Sequence, residues 1–141
     1  MYTVKQIASK LSVTPDAVRH YTRIGIVSPI RDPDNGYRYY TNNDARIINF
    51  VRKAKVYGLT LNEIIEIINT SLKGDTPCKR VYEMVEKHHE ETRSKIIELQ
   101  EFEKRLKNAL LNWEIEDTGE GVCGSECEYK KEVICPLIEN N

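Results

Sequence analysis

The sequence has no apolar run long enough to cross a bilayer, which excludes a membrane-spanning helix. Its opening residues, MYTVKQIASK, have neither the basic start nor the apolar stretch of a signal peptide, so a cytoplasmic protein is expected. A Cys-x-x-Cys pair is missing, and no acid–base constellation lies near a cysteine, so a thiol enzyme is not expected. Length is lacking too: 141 residues suit one domain, or a small domain with an extended appendage, but not two large cores. Net charge is almost absent, at -1.

That balance hides a division. Residues 1–60 hold ten Lys/Arg against four Asp/Glu, and residues 61–141 hold eleven against eighteen. A first part at +6 suits a polyanion such as double-stranded DNA, and a remainder at -7 does not.

The basic part reads as short helices and a ribbon. In TVKQIASKL, Thr3 and Gln6 form a capping box, and Val4, Ile7, Ala8 and Leu11 share one helical face. In TPDAVRHYTRIG, Thr14 is an N-cap, Pro15 occupies the first helical position and Asp16 complements the helix dipole. Ala17, Val18, Tyr21 and Ile24 can face inward, and Gly25 ends the helix. Two short helices joined by a tight turn are the layout of a helix-turn-helix, whose second helix here offers Arg19, His20 and Arg23 to phosphates or base edges. The stretch SPIRDPDNGYRYY then predicts a two-stranded wing around Asn35-Gly36, with strand character in Ile30–Arg31 and in Tyr37 to Tyr40. Arg31, Arg38 and the three tyrosines Tyr37, Tyr39 and Tyr40 suit phosphates and sugars, with the wing's own packing as the lesser alternative for Tyr39 and Tyr40. Two further helices follow, with Ile47, Ile48, Val51 and Ala54 at apolar spacing in the first and a Thr60/Glu63 capping box opening the second.

TVKQIASKLSVTPDAVRHYTRIGIV, followed by NGYRYYTNNDARIINFVRKAKVYGLTLNEI, resembles the DNA-binding domain of the MerR family of bacterial transcription regulators over roughly residues 2–72. The resemblance implies that the second helix reads a major groove and the wing clamps the backbone. It matches Arg19 and Tyr21 to the family's recognition-helix Arg and Tyr, and Tyr37 and Arg38 to the wing's Tyr-Arg. His20 stands where the family usually has an aromatic residue. The expected DNA-contacting set is Thr14, Arg19, His20, Tyr21, Arg23, Arg31, Tyr37 and Arg38.

From Cys78 to about Glu114 there is neither Gly nor Pro. A helix there is on the order of 55 Å long, more than the small first domain can bury, so it needs a partner. Heptads place Cys78, Val85, Thr92, Leu99, Leu106 and Trp113 on one seam and Val81, His88, Lys95, Phe102 and Ala109 on its companion. A two-stranded coiled coil in a homodimer is expected, and the family resemblance implies that its helices run antiparallel.

The four cysteines are Cys78, Cys123, Cys127 and Cys135, the last three spaced Cys-x3-Cys-x7-Cys. In a reducing compartment they point to metal, redox chemistry or inert burial. Thiolates bind soft or borderline ions, and Glu126, Glu128 and Glu132 favour a cation nearby. The ending CPLIE resembles the last ligand segment of the family's metal-sensing branch, which implies Cys78 and Cys135 as ligands of Zn, Cd, Pb or Hg, with Cys123, Cys127 or both completing the set. Cys78 can also be a small seam residue, and His88 and His89 are read as surface or seam residues before ligands.

The expected architecture is mainly α: a winged helix-turn-helix domain (1–74), a dimerisation helix (75–116) and a cysteine-containing metal-binding tail (117–141). The expected function is metal-responsive activation by distortion of promoter DNA, with RNA polymerase at the same promoter. The alternative is a redox-responsive regulator, using disulfides or an iron-sulfur cluster.

Overall fold

The computed structural model describes residues 1–113 and 134–139. The described elements are α1 (Val4–Leu11), α2 (Pro15–Arg23), β1 (Ile30–Arg31), β2 (Arg38–Tyr39), α3 (Asn42–Val56), α4 (Leu61–Leu72), α5 (Cys78–Asn112) and α6 (Pro136–Glu139). The chain divides into two compact units, Met1–Glu91 and Thr92–Asn141. Among the described residues no helix is long and apolar enough to cross a membrane.

Local chemistry starts each of the helices α1 to α4. Thr3 accepts a hydrogen bond from the Gln6 amide at 3.3 Å, and the Gln6 side chain accepts from the Thr3 amide at 2.9 Å, which satisfies two otherwise unpaired donors of α1. Thr14 accepts from the Ala17 amide at 3.1 Å and opens α2, with Pro15 at its start. Between them Ser12 takes the left-handed conformation (φ 54°, ψ 42°) and turns the chain within three residues. Gly25, at φ +80°, lets the Ile26 amide reach back to the Tyr21 carbonyl at 3.0 Å and stops α2. Ile24, expected to face inward, is instead the exposed C-cap of α2, because the helix ends before that position can point at the core.

The core of this unit draws on each of the helices α1 to α5. Ile7 and Ala8 of α1 and Val18 and Tyr21 of α2 belong to one cluster with Ile48 and Val51 of α3 and Ile64 of α4. Met84 joins the same cluster from the first part of α5, with Val81 and Val85 packed against it. α3 begins with a box of its own: Asp44 accepts from the Thr41 amide at 2.8 Å, and Thr41 accepts from the Asp44 amide at 3.1 Å. Asp44 is thereby buried with its carboxylate paired.

The wing is shorter than its sequence predicts. β1 and β2 pair antiparallel through Ile30↔Tyr39 and Arg31↔Arg38, and Tyr37 lies outside the strand. Asp32 is the reason: its carboxylate accepts from the amides of Asp34 (2.8 Å) and Asn35 (3.2 Å), which builds a longer turn. Tyr40 leaves the ribbon to make a separate bridge with Tyr2, through amide-carbonyl bonds of 2.8 and 2.7 Å.

In the second unit, α5 continues to Asn112 with most of its apolar residues facing outward. Leu99, Phe102 and Leu106 are 65 %, 50 % and 48 % exposed. A charged helix of this kind gains little from its own propensity, so this uncovered stripe marks where tertiary or quaternary packing must act.

Candidate nucleic-acid interface and thiol groups

α2 presents its polar residues in two pairs. Arg19 donates to Asp16 at 2.6 Å, with both side chains exposed. Arg23 lies 2.8 Å from Nδ1 of His20, one helical turn away. Thr14 is exposed and occupied as the cap. Tyr21 differs from the rest of the expected DNA-contacting set. It is 5 % exposed and sits in the core, so what the structure gives it is a packing role. The ammonium of Lys55, on α3, lies 5.8 Å from its ring centroid.

The wing opposes two cations. The register sets Arg31 directly across from Arg38, and like charges facing one another across an antiparallel pair destabilise it. A polyanion offsets that repulsion. Arg31 is tethered by its Nε to the Gly36 carbonyl at 3.3 Å, and Tyr37 is 66 % exposed beside it. Tyr39 is half-buried, and Tyr40 is fully buried with its hydroxyl 2.8 Å from that of Thr22. Of the wing tyrosines, Tyr37 is therefore the one with most of its ring free for an outside partner.

Sequence reasoning passed over Lys10. Its ammonium bonds to the Tyr2 hydroxyl and lies 4.4 Å from the centre of that ring. The Tyr2 hydroxyl in turn donates to Asn42 at 3.1 Å. The contact joins residues eight and forty positions apart, so only the pairing of Tyr2 with Tyr40 makes it visible.

Cys78 is the first residue of α5, and its thiol is free and exposed. Cys135 is also a free thiol, half-buried, and its amide donates to the Glu139 carboxylate at 3.0 Å. Cys123 and Cys127 lie outside the described residues. Among the described residues no group of three or more His, Cys, Asp or Glu is placed to hold a metal ion. His88 is engaged elsewhere: its Nε2 lies 2.8 Å from Glu63, which also caps α4, and its Nδ1 lies 3.6 Å from Glu91. The two described thiols fit a soft ion in donor chemistry, and Cys78 also does so in accessibility.

Comparison with known proteins fits this architecture. Residues 2–71 match the family model described as MerR HTH family regulatory protein, and residues 45–109 match the model described as MerR, DNA binding. An HTH-type transcriptional regulator of Synechocystis is 31 % identical over 110 residues, covering 78 % of this chain and 80 % of the relative. A heavy metal-dependent transcription regulator of Rhizobium meliloti is 31 % identical over 133 residues, covering 94 % and 81 %. Among solved structures, a transcription regulator from Ralstonia metallidurans in complex with lead(II) superposes with a TM-score of 0.73 at 22 % identity, over 88 % of this chain and 95 % of that one. The family is one of transcription regulators rather than enzymes. With a helix-turn-helix, a cation-bearing wing and a long following helix in the order these models span, the chain belongs to the MerR family of DNA-binding transcriptional regulators.

Proposed function

We propose that the protein is a homodimeric regulator that binds double-stranded promoter DNA and responds to a soft divalent ion, Zn, Cd, Pb or Hg, held by cysteine thiolates. The observation that carries this reading is the free, exposed thiol of Cys78 at the very start of α5. A thiol there has no packing task, and it belongs to the helix whose far half carries the uncovered apolar stripe. The heavy metal-dependent regulator at 31 % identity and the lead-bound structure support a metal as the signal.

In this reading Leu99, Phe102 and Leu106 of α5 cover the same residues of a second, antiparallel copy. Cys78 of one protomer then works with the tail of its partner, where Cys135 and Cys123, Cys127 or both complete the donor set. The ion ties the head of one dimerisation helix to the end of the other. Because it binds one arrangement of the dimer better than the other, it shifts the population between them. Sequence-dependent deformability lets that shift become a bent and untwisted promoter that RNA polymerase can use. A reducing cytoplasm keeps the thiols available.

The test is a metal titration of the fully reduced protein, wild type against Cys78→Ser, with Zn, Cd, Pb and Hg. Tight binding that the substitution weakens strongly supports the reading. Binding indifferent to Cys78 contradicts it, and a DNA response to oxidant without metal would support disulfide sensing in its place.

A further inference from the structure

His20 and Arg23 of α2 form a unit whose hydrogen-bonding character follows from chemistry alone. A guanidinium has donors and no acceptor, so across the 2.8 Å contact Arg23 must donate and Nδ1 of His20 must accept. The imidazole in this contact therefore carries its proton on Nε2. The polar edge that the pair has left is then made of donors only: the Nε2–H of His20 and the remaining N–H groups of Arg23. Arg23 is exposed and His20 is half-exposed, so this edge is open to a partner.

The neighbouring pair on the same helix is different. Arg19 is joined to Asp16 at 2.6 Å, and the Asp16 carboxylate adds acceptors beside its donors. The two pairs thus offer contrasting edges. In the major groove, guanine alone presents two adjacent acceptors, N7 and O6; adenine pairs an acceptor with a donor, thymine an acceptor with a methyl group, and cytosine offers a donor. The nine residues of α2 span about 13 Å, comparable with the ~12 Å width of the groove, so its last turn remains within reach of base edges.

We infer that His20 and Arg23 act together as a guanine-reading unit, which makes them specificity-determining residues for the operator. The inference rests on the reading that α2 enters the operator's major groove. Arg23 supplies the charge-assisted donors, and His20 both orients the guanidinium and adds a donor of its own.

The experiment is selection from randomised duplex DNA by the full-length reduced protein, as wild type, His20→Phe and Arg23→Gln, followed by affinity measurements on the selected site. His20→Phe places at this position the kind of aromatic residue usual in the family, and Arg23→Gln changes an exposed residue at the helix end, so one variant remains informative if the other folds poorly. Wild type is expected to enrich a guanine at one position of each half-site. Replacing that base by 7-deazaguanine, which lacks the N7 acceptor, is expected to weaken binding roughly tenfold. Both variants are expected to lose the preference at that position and keep it elsewhere. A wild type that selects an operator with no such guanine, or variants that discriminate as wild type does, overturns the guanine assignment alone. A wild type that selects no sequence overturns the operator-binding reading as well.

Discussion

The hydroxyl of Tyr40 lies 2.8 Å from that of Thr22, and this contact joins the end of the wing to the recognition helix. Thr22 donates its own proton to the Val18 carbonyl at 2.9 Å, so Tyr40 is the donor to Thr22. Tyr40 is fully buried, and removing its hydroxyl leaves a part-buried oxygen without that partner. Tyr40→Phe is expected to cost about 1 kcal/mol, read as a lower midpoint in denaturant unfolding. A double-mutant cycle with Thr22→Val should recover most of that cost as coupling; additive effects would mean that the contact contributes nothing.

Ser12 holds a left-handed backbone at φ 54° in the turn between α1 and α2, a conformation that costs a residue with a Cβ roughly 1–2 kcal/mol. Glycine escapes that cost but loses more freedom on folding, by roughly 0.5–1 kcal/mol. Ser12→Gly is therefore expected to stabilise the protein by about 0.5–1 kcal/mol and to raise its melting temperature by a few degrees. A lower melting temperature would show that the turn is not strained.

Glu63 has two tasks, capping α4 through the Thr60 amide and bonding His88 on α5, and both its side chain and that of His88 are 22 % exposed. Glu63→Ala removes both and should cost about 1–2 kcal/mol, whereas Glu63→Gln keeps the cap and should cost about half as much. Equal losses in the two variants would argue against the capping task. Arg80 provides the contrast. Its hydrogen bond to Glu66 and the nearby charge of Glu66 raise its pKa, but the guanidinium is exposed, and Arg80→Ala should leave the unfolding midpoint where it is.

The proposed dimer seam predicts that Phe102→Glu and Leu106→Glu each weaken self-association by roughly 10–100-fold, since each places a charge where an apolar side chain would be buried. Sedimentation across a dilution series measures this. Association that is unchanged in both variants would put the interface elsewhere.

What the sequence disclosed was mostly local. The Thr3/Gln6 and Thr60/Glu63 boxes span three residues and carry the usual polar pair, so they were visible directly. The Thr41/Asp44 box escaped notice because Asp stands where Glu or Gln is the signature. Asn35-Gly36 marked the hairpin, but Asp32 lengthened its turn, and two turn amides bonded to one carboxylate are not a periodicity signal. The inward place of Tyr21 followed from its helical spacing, whereas that of Tyr40 was set by contacts across the fold; the hydroxyl that Tyr40 meets is eighteen residues away. The Glu63–His88 contact bridges twenty-five positions, and heptad counting alone could place His88 only along a seam. Cys78 was legible because Gly74 and Pro77 precede it and a run free of both follows.

The most direct measurement of the proposed metal switch uses mixed dimers, one protomer carrying Cys78→Ser and the other Cys135→Ser, purified with two different tags and titrated with metal in the reduced state. If each site draws Cys78 from one protomer and Cys135 from its partner, one site of the mixed dimer is intact and the other has lost both thiols. The expected result is half the wild-type stoichiometry at wild-type affinity, while each singly substituted homodimer binds weakly. A mixed dimer with no tight binding would contradict a site shared between protomers, and homodimers that bind as wild type would contradict a thiolate metal site built on these two cysteines.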